Sequence, residues 1–486
     1  MWFKAGVDEL LAKISALQAR LAEREARLAE REAALAEREA ALAERDAEVA
    51  ALVKRLAEVE RVLNKNSSNS SKPPSSDKPG VKKNKKKKSG KKPGGQPGHK
   101  GQSRSLVPPE RVDVVVAHPI AGACGSCGDD SVKRLAVGRR HQVFELPEIR
   151  PEVTEHQLMK GRCGGCGCRR HAGLPLDVPA GCLGPRAQAH LATMTGVFQL
   201  SRRETERYAR EVLHLDVSLG TISNTEAVVS RALAPAYREA KLAIREAPHV
   251  HADETGFQRK AQRTTTWIFS TLMLAVLCVG KDRSRRSRHR TLGRNFKGSL
   301  STDRYAVYAD IPAHRRQLCW AHILRVFVAL VDEKDEEIAK VGRRLLRAGQ
   351  GVIHLYNSLG RGQILRATFD RGIRRYRHYL EQGIGKHRAL PGLKTLAEAF
   401  LLTPASLWLF TTRADVTPTN NMAERDLRPF VLRKRKTFFT QSWRGDRFIE
   451  RFATAVQTCR KQARNVFDFV VSSLASRQSL LPASAS

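Results

Sequence analysis

The feature that most constrains this chain is a seven-residue repeat of apolar side chains near its beginning. Leucine, isoleucine or valine occurs at every seventh residue from Ile14 to Leu63, and the motif L-A-E-R-E-A recurs within this stretch. A period of seven keeps one face of a helix apolar and is typical of a coiled coil. The alternative is a single charged helix held by Glu–Arg pairs four residues apart. We expect a coiled coil over residues 1–63. Two positions of each heptad face the partner helix in a coiled coil, and in the central four heptads the second of these positions is occupied by arginine. The coiled coil should therefore be weakest at its centre, at Arg24, Arg31, Arg38 and Arg45.

A large excess of positive charge follows. The chain has 86 Lys and Arg against 49 Asp and Glu, a net charge of +37, which usually indicates a polyanionic partner such as nucleic acid. Residues 64–105 are rich in Ser, Pro, Gly and Lys and predict a disordered basic linker. Its lysines form either a merely solvated run or, as we interpret them, a tethered arm that binds DNA. They are Lys82, Lys83, Lys85, Lys86, Lys87 and Lys88.

The sequence carries no secretory or membrane-spanning pattern. Its longest apolar run, Trp267–Gly280, is shorter than the roughly 20 residues that cross a bilayer. Nine cysteines in a long chain of this kind point to a reducing compartment. We therefore expect a soluble, cytoplasmic protein with no membrane partner.

Two short motifs carry four of the cysteines. C-G-S-C-G contains Cys124 and Cys127, and C-G-G-C-G contains Cys163 and Cys166. Each pair lies on a turn whose final glycine permits positive φ, so the two motifs can offer four thiolates to one structural Zn²⁺. The alternative is reduced cysteine on turns. We predict a small β-rich zinc-binding domain over residues 106–180, with strands at Val112–Ala117, Gln142–Leu146 and Val153–Met159.

Residues 181–247 show a helical apolar period. Within them, Arg202–Leu233 predicts a helix, a short turn containing Gly220, and a second helix. This arrangement suits a helix-turn-helix that binds DNA, although any pair of helices would give the same pattern.

From residue 248 the pattern changes to strands. We predict strands at His249–Phe257, Thr265–Leu272, Ala275–Val279, Gly298–Thr302 and Arg316–Cys319, with a helix beginning near Ser287. The connection between the strands Thr265–Leu272 and Ala275–Val279 contains neither Gly nor Pro, so the turn of this hairpin is atypical. Residues 248–330 would form the first part of an α/β domain and 331–407 a helical insertion. Residues 408–475 would complete the domain with a last strand at Trp408–Phe410 and helices from Asn421 to Leu474. Residues 476–486 would be a disordered tail.

Three carboxylates stand out in this α/β part. Asp253 shares a strand face with His251, Asp303 follows a predicted strand, and Glu424 lies at a helix start. Three such oxygen donors can hold two Mg²⁺ or Mn²⁺ ions. Each residue also has a plainer interpretation. Asp253 would be polar because a strand ends there, Asp303 would begin an Asx-turn, and Asn421-x-x-Glu424 would be a capping box. Spacing alone does not join the three.

Seven motifs in one order resemble the bacterial transposases of the insertion sequence 66 type, which use the DDE class of chemistry. The first two are N-S-S-N-S-S-K-P-P-S-S-D and G-G-Q-P-G-H-K-G, and the cysteine pairs follow. The others are H-A-D-E-T-G, D-R-Y-A-V-Y, C-W-A-H and T-N-N-M-A-E-R-D-L-R-P. The resemblance covers roughly residues 50–470.

This resemblance implies a ribonuclease-H-like core with Asp253, Asp303 and Glu424 as the catalytic, magnesium-binding triad. It implies DNA as partner, both as the terminal inverted repeats of the element and as target. It also implies a homo-oligomer, accessory proteins of the same element, and a place at the bacterial nucleoid. The rival functions are a DNA-binding remnant or repressor without catalysis, and a nuclease that cuts but does not join.

Four further residues belong to the resembling motifs. Arg425 and Arg428 are expected to touch DNA phosphates near the metals. Because Arg428 precedes Pro429, we expect the helix to break or kink there. Cys319-x-x-His322 resembles a C-x-x-H element of such transposases. We expect these two residues to order the Asp303 strand by packing rather than to bind metal.

Overall fold

The computed structural model describes residues 2–66, 69, 94, 98–101, 104–118, 120, 122–131, 136–390, 392–437 and 439–482. The side chains of residues 2–10, 12, 61 and 435 are not described. The lysine run that we predicted to bind DNA lies outside the described residues. In the described part of the chain, no helix is both long enough and apolar enough to span a bilayer. The chain divides into two compact units: residues 1–81 with 324–346, and residues 82–323 with 347–486.

The first unit is dominated by one long helix, α1, which runs without interruption from Trp2 to Leu63. Its described heptad side chains are about half exposed or more, from 48% at Ile14 to 62% at Leu63. An exposed apolar stripe at this spacing fits the predicted coiled coil. The partner helix that a coiled coil requires stays a prediction.

The cysteine-rich region is irregular rather than β-rich. Its only strands among the described residues are β1 (Lys160–Arg162) and β2 (Arg169–His171), which form an antiparallel hairpin. The predicted strands at Val112–Ala117, Gln142–Leu146 and Val153–Met159 are wrong. Their apolar side chains are mostly exposed, so no packed layer stabilises strand pairing there.

Four helices follow: α2 (Pro185–Gly196), α3 (Arg202–Leu213), α4 (Leu219–Ala232) and α5 (Ala234–Glu246). A complete capping box between Ser201 and Glu204 fixes the start of α3. The predicted helix pair is confirmed. The turn lies at residues 214–218, however, and Gly220 is already inside α4.

A five-stranded mixed sheet forms the core of the second unit. Its strands are β3 (His249–Arg259), β4 (Gln262–Ser270), β5 (Ala275–Gly280), β6 (Ser299–Thr302) and β7 (Arg316–Leu318), in the order β5-β4-β3-β6-β7. Strands β3, β4 and β5 are antiparallel neighbours, whereas β6 runs parallel to β3, and β7 parallel to β6. All five predicted strands are confirmed. Helix α6 (Arg285–Leu292) occupies the predicted position near Ser287.

The β4–β5 turn is built without glycine or proline. The backbone N–H of Thr271 donates to the carbonyl of Leu274 at 2.8 Å, and the N–H of Leu274 donates to the Thr271 hydroxyl at 3.1 Å. A threonine hydroxyl that accepts from the backbone supplies the turn geometry locally.

Helices complete the chain. They are α7 (Trp320–Val331), α8 (Glu336–Gly360), α9 (Arg366–Lys386), α10 (Lys394–Ala397), α11 (Ala405–Thr412), α12 (Asn421–Lys436), α13 (Trp443–Lys461) and α14 (Val466–Ala475). A π-helical turn, Glu398–Leu402, follows α10. The predicted strand at Trp408–Phe410 is wrong because these residues lie in α11, where Trp408 packs on Trp320 at 4.9 Å between ring centroids. Helix α12 continues through Pro429, so the predicted break is also wrong.

Helix α13 covers the edge strand β5. The backbone N–H groups of Ala275, Leu277 and Val279 donate to side chains of Thr458, Thr454 and Glu450 at 3.2, 3.0 and 2.7 Å. Four helical residues rise about 6 Å, nearly the span of two strand residues, so every fourth helix side chain meets every second strand N–H. The edge of the sheet is thereby closed to another strand.

Candidate active site

Asp253 lies on the central strand of the sheet. It pairs with Ile268 of β4, is partly exposed, and accepts a hydrogen bond from the backbone N–H of Glu254 at 2.9 Å. Burial raises the pKa of its carboxyl well above the usual value, and the charges of Glu254, Glu424 and Asp303 raise it further. The structure therefore brings Asp303 and Glu424 close enough to Asp253 for their charges to act on it.

Asp303 directly follows β6, the parallel neighbour of β3. In the pairing of β3 with β6, His251 lies opposite Ser301. Asp253 and Asp303 each follow two residues later in their own segment, so the two are also neighbours. Parallel strands place such residues at one edge of the sheet. The carboxylate also accepts the N–H of Tyr305 at 2.9 Å, so the turn that we considered as an alternative does form, and it fixes this carboxylate next to the strand end.

Glu424 lies in the first turn of α12. The capping box that we considered is absent, because the residue that caps the helix is Asn420 and its side chain makes no capping bond. The Glu424 side chain is 31% exposed, and its Oε1 lies 3.7 Å from Nδ1 of His322. A carboxylate in the first helical turn is favoured by the helix dipole. Arg425 and Arg428 are exposed on the same helix.

Glu254 is a fourth acidic residue at the site, but its contacts tie it to the protein. Its Oε1 accepts two hydrogen bonds from Arg283, at 3.0 and 2.5 Å, and its Oε2 accepts from the hydroxyl of Tyr308. Burial raises its pKa, and the charge of Asp303 adds to this, while the bonds from Tyr308 and Arg283 act in the opposite direction. We interpret Glu254 as an anchor that orders the loop after β6.

Cys319 and His322 lie beside the third carboxylate. The N–H of Cys319 donates to the carbonyl of Thr302 at 2.9 Å, which supports the expected packing against the Asp303 strand. Burial raises the pKa of the Cys319 thiol to about 11. One potential ligand atom each from Cys319, His322 and Glu424 falls within 4.8 Å of the others, the one such group of three among the described residues.

His251 is almost completely buried, and burial lowers its pKa to about 4. Its Nδ1 lies 3.2 Å from the side-chain oxygen of Asn420, which can only accept, so this nitrogen carries the hydrogen. The residue supports the site rather than reaching into it. Sequence reasoning missed Asn420, and the signal that could have found it was its place directly before the helix that carries Glu424.

The two cysteine motifs form matched turns. In each, the N–H of the closing glycine donates to the carbonyl of the first cysteine at 2.8 Å, and Gly128 and Gly167 both have φ of 72° as predicted. Backbone N–H groups lower the pKa of Cys124 and of Cys163, which favours the thiolates that zinc requires. Each turn thus fits half of a zinc site. Within the described residues the two halves are not gathered to ligand distance.

A mixed sheet with acidic side chains at one edge, preceded by two cysteine turns and a strongly basic sequence, fits an enzyme that acts on nucleic acid. The family model of the IS66 transposases matches residues 181–447, and the chain therefore belongs to the IS66 transposase family. The zinc-finger binding domain of these transposases matches residues 122–167, and a family of unknown function, DUF6444, matches residues 1–105. The chain is thus a transposase with a DNA-binding zinc-finger domain, and its class cleaves and joins DNA strands.

One relative extends over most of the chain. The "Uncharacterized protein y4hP" of Sinorhizobium fredii is 23% identical over 388 residues, which cover 72% of this chain and 69% of that protein.

Proposed function

We propose that this transposase cuts and joins DNA by a DDE mechanism, with Asp253, Asp303 and Glu424 as its catalytic residues. The observation that carries the proposal is that Asp253 and Asp303 lie at one edge of the sheet and that the charge of Glu424, on α12, acts on Asp253, although the three residues are separated by 50 and 121 positions in the sequence. The strand order, three antiparallel strands followed by two parallel ones, supports a ribonuclease-H-like core.

The donor set fits Mg²⁺ or Mn²⁺. It consists of carboxylate oxygens, the ligands that these hard cations prefer. The charges of Asp303 and Glu424 disfavour ionised Asp253, and a divalent cation would offset this effect. When bound, such ions activate the attacking oxygen and stabilise the leaving oxygen of a phosphodiester. The protein contributes position: Asp253 is fixed by the sheet, Asp303 by its turn with Tyr305, and Glu424 by the first turn of α12.

Access to the site is compatible with a DNA substrate. Asp253 and Glu424 are both partly exposed, and Arg425 and Arg428 project from the same helix as Glu424. We infer that these arginines contact DNA phosphates, which would position a strand without reading its sequence. Replacing either one should weaken end binding at low salt and reduce the dependence of binding on salt.

The remaining parts would serve assembly and recognition. We propose that residues 106–180 fold around a structural Zn²⁺ and that residues 181–247 dock on the terminal inverted repeats. We propose that α1 joins two copies in a coiled coil, as a complex with two element ends requires. The linker lysines would add affinity for DNA of any sequence, and accessory proteins of the element would assist.

The test is an assay that separates binding, cutting and joining. Labelled element ends and a plasmid target are supplied with Mg²⁺, and Asp253→Asn, Asp303→Asn and Glu424→Gln are compared with wild type. Two neighbouring acidic residues serve as matched controls: Glu254→Gln, next to Asp253 in β3, and Asp426→Asn, two residues after Glu424. We expect all three triad variants to bind ends and lose both cutting and joining.

The controls should keep both activities at reduced level. End binding by wild type with no cutting under any condition would favour the rival function, a DNA-binding remnant. Cutting without joining would favour a nuclease.

A further inference from the structure

Asn420 hydrogen-bonds directly to the strand that carries Asp253 and to the first turn of the helix that carries Glu424, and it is linked through Cys319 to the strand before Asp303. Its side-chain Nδ2 donates to the carbonyl of Ala252 at 2.7 Å, one residue before Asp253. Its Oδ1 accepts from His251 at 3.2 Å on the same strand. Both bonds hold it to β3.

The backbone of Asn420 makes the other connections. Its N–H donates to Sγ of Cys319 at 3.1 Å, and the N–H of Cys319 in turn donates to the carbonyl of Thr302, next to Asp303. Its own carbonyl accepts the N–H of Glu424 at 3.3 Å, the first hydrogen bond of α12. The side chain is 1% exposed, so these bonds do not compete with water.

We propose that Asn420 is a positioning residue that sets the separation of Asp253 and Glu424, and thereby the affinity of the proposed site for divalent cations. The inference rests on the proposed function of these carboxylates. The Asn420 amide ties the residue before α12 directly to the backbone beside Asp253. Without the amide of Asn420, Glu424 would keep its helix but lose its fixed distance from the strand.

The expected effect follows from other metal sites. Residues that orient metal ligands without touching the metal typically change its affinity by about 10–100-fold when they are replaced. Asn420→Ala and Asn420→Ser should therefore both raise the half-saturating Mn²⁺ concentration by about this factor. Serine is too short to reach the carbonyl of Ala252 but leaves a small polar side chain, and it provides a second test if the alanine variant folds poorly.

The chain offers a matched control in Gln317. This amide is also fully buried, and it donates to the carbonyls of Leu318 and Leu407 at 2.8 and 3.1 Å and accepts from Phe410 at 3.0 Å. It joins β7 to α11 by the same kind of bonds and touches none of the three carboxylates. Gln317→Ala should lower the melting temperature of the protein but leave the half-saturating Mn²⁺ concentration unchanged.

The experiment uses the full-length, zinc-loaded protein. Mn²⁺ is titrated, and its midpoint is read from the rise in melting temperature and from the cleavage of labelled ends, while end affinity is measured separately. We expect the Asn420 variants to have midpoints about 10–100-fold above wild type with unchanged end affinity. The proposal would be overturned if both Asn420 variants had the same half-saturating Mn²⁺ concentration as wild type. It would also be overturned if Gln317→Ala raised this concentration as much as the Asn420 variants do.

Asp253→Asn distinguishes this failure from that of the proposed function. Loss of the metal-induced rise in melting temperature in that variant shows that the cation binds at the carboxylates. A rise as large as in wild type means that the triad is not the metal site, whatever the Asn420 variants do.

Discussion

His249 predicts a specific loss of stability on acidification. This histidine is buried at the start of β3, where Nδ1 lies 2.7 Å from the hydroxyl of Ser299 and Nε2 lies 3.0 Å from that of Ser301. Burial lowers its pKa from 6.5 to about 3, and the neighbouring His251 and Arg413 contribute in the same direction, while Asp415 opposes them. The imidazole is therefore neutral in the folded protein throughout the mildly acidic range.

The sign and size of the effect follow from proton linkage. Because the folded pKa lies below the unfolded one, the unfolded chain binds the extra proton, and stability falls as the pH decreases below about 6.5. Lowering the pH from about 7.5 to about 5 reduces the free energy of unfolding by about 2 kcal/mol for a single such histidine.

The assay is urea unfolding of wild type and His249→Gln at both pH values, followed by tryptophan fluorescence. Glutamine is polar and does not titrate in this range, and subtracting the two proteins cancels the contributions of groups that do not interact with His249. We expect wild type to lose about 2 kcal/mol more than the variant on acidification. Equal losses in the two proteins would refute the reasoning.

Three other predictions concern stability and assembly. Thr454→Val should cost about 1–3 kcal/mol of unfolding free energy, because the N–H of Leu277 would be left buried without an acceptor; urea unfolding measures this, and a neutral variant would contradict it. Zinc chelation should increase hydrogen exchange in residues 122–167 but not in the sheet, because the apolar side chains of residues 106–180 are largely exposed and form little core. Replacing all four seam arginines of α1 by leucine should raise the melting temperature of its helical dichroism signal, and an unchanged melt would reject the heptad frame. These arginines are Arg24, Arg31, Arg38 and Arg45.

The α/β part of the fold was largely predictable because its strands carry strong local patterns. Polar and apolar residues alternate over His249–Asp253, at the start of a central strand, and Ala275–Gly280 is a short apolar run before a basic helix. The same reasoning failed at Trp408–Phe410, because three apolar residues do not distinguish a strand from a buried helical turn. It also failed at Val112–Ala117, where local β propensity had no second layer to pack against.

The sequence predicted the three carboxylates of the candidate site but not the hydrogen bonds that hold them in place. Asp253, Asp303 and Glu424 were expected from strand ends, a helix start and the family resemblance. The hydrogen bonds of Asn420 join positions separated by more than 100 residues in the sequence, and no local pattern encodes them. The turn at Thr271 was equally unpredictable from the sequence, because it is stabilised by the Thr271 hydroxyl and contains neither the glycine nor the proline that usually marks a turn.

The most direct test of the central claim replaces one of the three carboxylates by a thiolate. Asp303→Cys is assayed for joining of precut element ends to a plasmid, once with Mg²⁺ and once with Mn²⁺. Thiolate is a poor ligand for Mg²⁺ and a better one for Mn²⁺. If Asp303 binds the catalytic metal, the variant should be inactive with Mg²⁺ and regain joining with Mn²⁺. Wild-type joining by this variant with Mg²⁺ would contradict the assignment of the triad.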